Sequence, residues 1–254
     1  MTENRPYILE ETDDYAVVYK PPQMHSAPLS RQDGGTLFEW YRQKLAAEHS
    51  SEVNIMHRLD FETHGLVLFA KNSKSFDFFK SLQDRGEFVK EYSAICSANC
   101  VPVNDDGFPP PPAGNPRIIM SYFRPFGPGR KLVRPVTDDS KKYHETAKDN
   151  GGFYRTEIAD ISGNVFTVRI KRGFRHQIRC HLCWIGRPIL NDPLYFLPST
   201  EAAVPSDGEP ETNALQANLF AENLLALRAH AVFFTDPSSG ERKECRINSI
   251  NGDE

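Results

Sequence analysis

The chain has 254 residues, 39% of them apolar, and a formal net charge of −4. That is enough for one large domain, or two small ones, with a real core. The N-terminal MTENRPYILEE has no apolar signal core and no apolar run approaches about 18 residues, so a soluble, cytoplasmic protein with no membrane partner is expected.

The net charge conceals an asymmetry. Arg117 to Arg187 hold 15 Lys and Arg against 6 Asp and Glu, and the rest of the chain holds 15 against 28. A basic face on an acidic body is expected, which suits a polyanionic partner. The five cysteines are odd in number and read as reduced thiols. Cys96-x3-Cys100 and Cys180-x2-Cys183 make a poor zinc site, because the second pair lies in a helical pattern without a Gly turn, and no metal is expected.

In chain order, Tyr15 to Lys20 reads as a strand after the acidic turn Asp13-Asp14, stopped by Pro21-Pro22. Thr36 opens a helix with Glu39 as its capping-box partner, and Leu37, Trp40, Tyr41 and Leu45 share one core-facing side. Asn54 to Lys71 reads NIMHRLDFETHGLVLFAK. Its apolar run, Leu66 to Ala70, predicts a short buried strand. A polar knot precedes that run: His57, Arg58, Asp60, Glu62, Thr63, His64 and Gly65. Polar residues this dense beside a core strand line a site or cap a turn. Ser73 can cap a second helix, with Phe76, Phe79 and Leu82 on one side and Gly86 as its stop. Phe88 to Cys96 reads as a strand in which Lys90 and Tyr92 share a face.

Residues 101–116 carry a proline run and predict an exposed loop. Ser121 to Lys142 interleaves Tyr122, Phe123, Arg124, Phe126, Arg130, Lys131 and Arg134. That pattern suits nucleic-acid phosphates and bases, and equally a basic loop packed by its own rings. Val165 to Lys171 alternates as a strand. Ile178, Leu182 and Ile185 then repeat at helical spacing, predicting a short amphipathic helix that stops at Gly186, with Arg175 and Arg179 on another face. Residues 199–212 predict an acidic surface insert, Ala214 to Leu227 a helix, Arg228 to Phe234 a strand, and a last strand ends near Ile247. No P-loop, dinucleotide fingerprint or internal repeat is present, and no cofactor is expected. Helices that do not alternate regularly with strands favour an α+β fold with a largely antiparallel sheet.

HRLD, two residues, Thr-x-Gly, an apolar run and Ala-Lys together resemble the signature of the RluA-type pseudouridine synthases. The resemblance extends to Lys20-Pro21, to Lys90-x-Tyr92, and to Gly173, His176, Gln177, Ile178, Arg179, His181, Gly186, Pro188, Ile189 and Asp192. It runs from about Ile8 to Ile250, and no S4-type RNA-binding domain is expected. The chain departs from the pattern at Pro22-Gln23 and Asn191, where the family has glycine, at His64 for Ser, and at Phe174 for Arg.

The resemblance implies one synthase domain over residues 1–254. It implies a mixed, largely antiparallel bifurcated sheet with flanking helices and a central catalytic cleft. The implied reaction converts uridine to pseudouridine in structured RNA, rRNA or tRNA, and a monomer is expected. Asp60 is the implied catalytic carboxylate, Arg179 its partner and Tyr92 the ring against the base. Arg58, Lys90, His176, Gln177, Arg172 and Arg175 are the expected substrate contacts, with Arg172 or Arg175 replacing the arginine that Phe174 displaces. His176 and His181 also read as structural hydrogen-bonders. Two rivals stand beside this: a non-catalytic RNA-binding protein with a degenerate site, and a hydrolase using Asp60 with His57 or His64 as acid and base.

Overall fold

Strands dominate the computed structural model, which describes residues 4–29, 34–46, 52–97, 108–137, 153–195, 222–248 and 250. Cys100, the first part of the proline loop, the 199–212 insert and the start of the helix expected from Ala214 lie outside the described residues. The chain divides into two units, Met1–Ser93 with Leu227–Glu254, and Ala94–Ala226.

In the first unit, β1 (Tyr7–Glu11) and β2 (Tyr15–Lys20) pair antiparallel. Thr12 shapes the turn between them, its hydroxyl accepting from the amides of Asp14 and Tyr15. β2 runs antiparallel to β4 (His64–Ala70), which sets Lys20 opposite Gly65. The far end of β4 pairs with β3 (Asn54–Ile55). Its near end runs parallel to β10 (Leu227–Thr235) at Arg228↔His64 and Ala229↔Gly65. β11 (Arg242–Arg246) adds antiparallel to β10. Gly65 has φ +125 and lies so close to the Ala229 backbone that a Cβ would overlap it, so only glycine permits this approach.

Every residue of β2 and β4 is buried, as expected of strands covered on both faces. Helix α1 (Leu37–Ala46) covers one face, its Tyr41 ring meeting Phe69 with centroids 4.8 Å apart. Helix α2 (Ser73–Arg85) covers the other, burying Phe79 and Leu82 against Tyr15, Leu66, Leu68 and Phe234. Emptying the Phe79 position to alanine costs about 3–5 kcal/mol at such a site. The Thr36–Glu39 capping box forms as expected. The cap of α2 is Asn72 rather than Ser73, because that register lets Ser75 return the bond to the Asn72 amide. Gly86 ends α2 in the left-handed conformation.

β5 (Val89–Ile95) starts in the first unit and ends in the second. In the second unit, β6 (Ile118–Phe126) and β7 (Leu132–Val136) form an antiparallel hairpin over a 3-10 turn at Pro128–Arg130. β6 also pairs with β8 (Tyr154–Ser162), and β8 with β9 (Val165–Ile170), both antiparallel. The basic-aromatic run from Ser121 is therefore a strand pair and not a loop. Pro125 and Pro135 sit inside it and hide the strand pattern.

Helix α3 (Gln177–Trp184) packs Cys180 and Cys183 against Val133 and Tyr195. All eight of its residues are buried, so the amphipathic expectation is corrected. Its polar side chains are satisfied inside the protein, as described below. The α+β class with a mixed, largely antiparallel sheet stands. No helix among the described residues is long and apolar enough to cross a membrane.

Candidate active site

Asp60 is held from both sides by its neighbours. Before it, the buried Ser26 hydroxyl donates to the Leu59 carbonyl and accepts from the Leu59 amide, both at 2.9 Å. After it, the buried Lys20 ammonium donates to the Phe61 carbonyl at 3.3 Å. The same ammonium donates to Met24 at 2.7 Å and to Pro21 at 2.9 Å. The Asp60 carbonyl itself accepts from the Thr63 amide at 3.1 Å. The loop carrying Ser26 is anchored in turn, since Leu37 and Phe38 at the head of α1 donate to the carbonyls of His25 and Ser26. The Asp60 side chain is left half-buried on a backbone with little freedom.

The charges around this loop are unusual for a core. Burial pushes the Lys20 ammonium down to about 7, against the opposing pull of the Asp60 and Glu62 carboxylates. Three donated hydrogen bonds use all three protons of its charged form. Lys90 is buried too, with its ammonium 4.8 Å from the Phe88 ring centroid and its pKa lowered by burial to about 7. Tyr92 is buried, and both burial and the Asp60 charge raise its pKa, so its phenol keeps its proton at neutral pH. On the opposite side of β5, buried Glu91 binds His230 at 3.0 Å and Arg246 at 3.1 Å, tying β5, β10 and β11 together behind Tyr92.

The two histidines of the polar knot are held neutral. His57 Nε2 accepts from the Leu68 amide at 3.2 Å, and burial and Lys90 push its pKa well down. His64 is buried, and burial followed by Arg228 and Lys20 does the same to it. Neither ring is poised to exchange protons near neutral pH, which counts against the hydrolase reading. Arg58 is exposed, and the Phe61 ring, also exposed, lies against His25 with centroids 4.7 Å apart.

The remaining expected site residues belong to the second unit. Arg179 is fully buried and forms a bidentate pair with Asp192, both bonds 2.7 Å. Asp192 also accepts from the amides of Leu194 and Tyr195. Gln177 is buried, its amide donating to Arg155 and Thr156 and its carbonyl accepting from Phe174. His176 has φ 55, and its Nδ1 meets the Tyr195 hydroxyl at 3.2 Å. His181 bonds Ser121 and Thr156, and burial lowers its pKa to about 3. Arg172 lies over the Tyr154 ring and Arg175 donates to the Arg130 carbonyl, both with exposed surface. Phe174 stacks on Phe123 with planes 9° apart, so an aromatic cluster occupies the place of the missing arginine. Arg134, expected on an RNA-binding face, is instead buried between the rings of Phe108 and Phe126.

Residues 14–184 match the family model described as RNA pseudouridylate synthase. The chain belongs to this synthase family, on the RluA-type branch that its HRLD string resembles. It is 25% identical over 246 residues to Ribosomal large subunit pseudouridine synthase D of Haemophilus ducreyi, covering 94% of this chain and 65% of that protein. It is 32% identical over 225 residues to Pseudouridylate synthase RPUSD2 of Homo sapiens, covering 85% of this chain and 36% of that protein. The chain thus spans less than two thirds of the length of these synthases. The solved structure of Human RNA Pseudouridylate Synthase Domain Containing 4 shares the fold, with a TM-score of 0.58 at 18% identity, covering 94% of this chain and 87% of that one.

Sequence reasoning matches Lys20 to the family pattern without giving it a role, and misses Ser26 and the role of Asp192 altogether. Asp192 carries a signal, as part of the matched motif beside Arg179. Ser26 carries none, because a serine before a proline-containing loop looks like any turn residue.

Proposed function

We propose that the chain isomerises uridine to pseudouridine in structured RNA, with Asp60 as the catalytic carboxylate. The observation that carries this reading is the double anchoring of Asp60, by Ser26 before it and Lys20 after it. A reacting group held to a fixed position gains rate from orientation that would otherwise be lost as entropy. The reaction breaks the C1′–N1 bond, turns the uracil and joins C5 to C1′, with a proton leaving C5 and one reaching N1. Asp60 starts it in its ionised form, either by attacking the sugar or by taking a sugar proton.

Tyr92, kept as a neutral phenol, is the ring assigned to the base. Arg179 is assigned to the same reaction by its family motif, and Asp192 fixes its orientation by holding Nε and Nη2. The target base is flipped out of its helix to reach Asp60 and Tyr92. The relatives' names point to rRNA as one substrate class, and the exposed cations Arg130, Lys131, Arg172 and Arg175 supply phosphate contacts in the second unit.

The test is Asp60→Asn, assayed on RNA from cells of the source organism lacking this gene. Pseudouridine should form with the wild type and be absent with the variant, while RNA binding holds and the protein stays folded. RNA binding by a wild type that makes no pseudouridine would favour the non-catalytic alternative.

A further inference from the structure

We propose that Phe61, seated on His25, is a stacking platform for one unpaired RNA base beside the target uridine. This rests on the reading above, which places RNA at Asp60. Phe61 follows Asp60 directly, yet its ring is 40% exposed. An exposed phenylalanine is unremarkable on a mobile loop, but this one is mounted. The Lys20 ammonium holds the carbonyls of both Phe61 and Met24. His25, which follows Met24, has its own carbonyl fixed by the Leu37 amide at 2.9 Å. The two rings meet at 4.7 Å with planes 43° apart, so His25 backs part of Phe61 and the rest stays in water. One buried lysine therefore fixes both halves of an aromatic pair and the loop of the catalytic carboxylate.

An aromatic ring with a backed side and an open side suits a nucleobase, since every base offers a π-face. The need for one arises from the reaction. A uridine flipped out of its stack leaves its neighbours without a stacking partner on that side. A ring one residue from the Asp60 carboxylate can replace that partner. The surrounding charge fits the same ligand, because exposed Arg58 in the same loop offers a cation to the phosphate chain.

Phe61→Ala, Phe61→Leu and Phe61→Trp separate stacking from bulk apolar contact. Leu9→Ala, an exposed apolar residue on β1, is the control. Two readouts are taken: binding of a short 5′-fluorescein-labelled, uridine-rich single-stranded RNA, and the RNA concentration giving half the maximal single-turnover rate of pseudouridine formation. Alanine and leucine should weaken both by about 5- to 100-fold, tryptophan should restore both, and Leu9→Ala should change neither. The rate at saturation should fall much less than the half-saturating concentration rises. RNA binding indifferent to Phe61 while pseudouridine still forms would overturn the platform alone. So would a leucine variant equal to tryptophan. If the wild type makes no pseudouridine but its RNA binding depends on Phe61 in this order, the platform stands and the catalytic reading falls.

Discussion

The Asp60 loop and the basic hairpin of β6 and β7 are built on opposite plans. The loop has few charges in water and is fixed by buried side chains that bond its backbone, Ser26 to Leu59 and Lys20 to Phe61. The hairpin keeps Arg130 and Lys131 exposed at its tip, and where a cation could have joined them, Arg134 is instead sunk between two rings. The difference separates two tasks. A group that reacts gains from a single fixed position, whereas phosphate contacts act at longer range and tolerate motion.

The comparison breaks most sharply at Asp60 itself. Asp60→Asn should remove pseudouridine formation altogether while the protein stays folded, since the anchors bond the backbone of its neighbours. A variant retaining wild-type turnover would dissociate the anchored loop from catalysis. Next in size is Arg179→Ala, which leaves the Asp192 carboxylate buried without its guanidinium. A drop of about 3–5 kcal/mol in denaturant unfolding is expected. An unchanged unfolding midpoint would mean that water compensates Asp192.

Ser26→Ala comes next. It leaves the Leu59 amide and carbonyl buried without their partner, at about 1–3 kcal/mol, and lets the loop relax. The single-turnover rate should fall while RNA affinity stays constant. An equal fall in affinity would place Ser26 with the RNA contacts rather than the mount.

Acid should also find the buried core before the hairpin. His64 and His181 are held neutral, His181 down to about 3, while unfolded imidazoles titrate near 6.5. Below about pH 6.5 the unfolded chain therefore binds more protons and stability falls with pH, for His181 by about 1.4 kcal/mol per unit down to about pH 3. His64→Ser should flatten that limb in unfolding curves taken below about pH 6.5. An unaltered limb would show that His64 takes no part. The smallest effect belongs to the hairpin. Reversing the charges of Arg130 and Lys131 together should weaken RNA binding and lower the salt slope by about 0.7 for each phosphate no longer neutralised. Reversing Lys44 and Lys80, exposed on α1 and α2, should not. Matching slopes for the two double variants would move the RNA elsewhere.

The loop is the more legible of the two regions. Its motif is continuous in sequence, and caps such as Thr36–Glu39 and the stop at Gly86 are local signals that survive into the fold. The hairpin is not legible, because proline at 125 and 135 breaks the strand pattern and its rings mimic a base-binding loop. Helix α3 misleads for a different reason. Its polar residues Gln177, Arg179 and His181 suggest a wet face, but their partners lie outside the helix, in β8, in β6 and at Asp192. Two departures from the family are conservative in backbone terms. Gln23 and Asn191 stand where glycine is usual, and both keep the left-handed conformation, with φ 56 and 59. His64 is the departure that the fold explains least, since neither of its buried ring nitrogens has a hydrogen-bond partner among the described residues.

The parallel pairing of β4 with β10 sets an order of events during synthesis. His64 and Gly65 close the polar knot, yet their neighbours Arg228 and Ala229 are translated only after the whole of the second unit. The Asp60 loop of a growing chain therefore waits, with the His64 end of one β4 edge unpaired, until the ribosome has released residues near 230. Contacts so distant in sequence form late and slowly. A truncated product ending anywhere in the second unit would carry the complete HRLD string but lack the strand that closes over it.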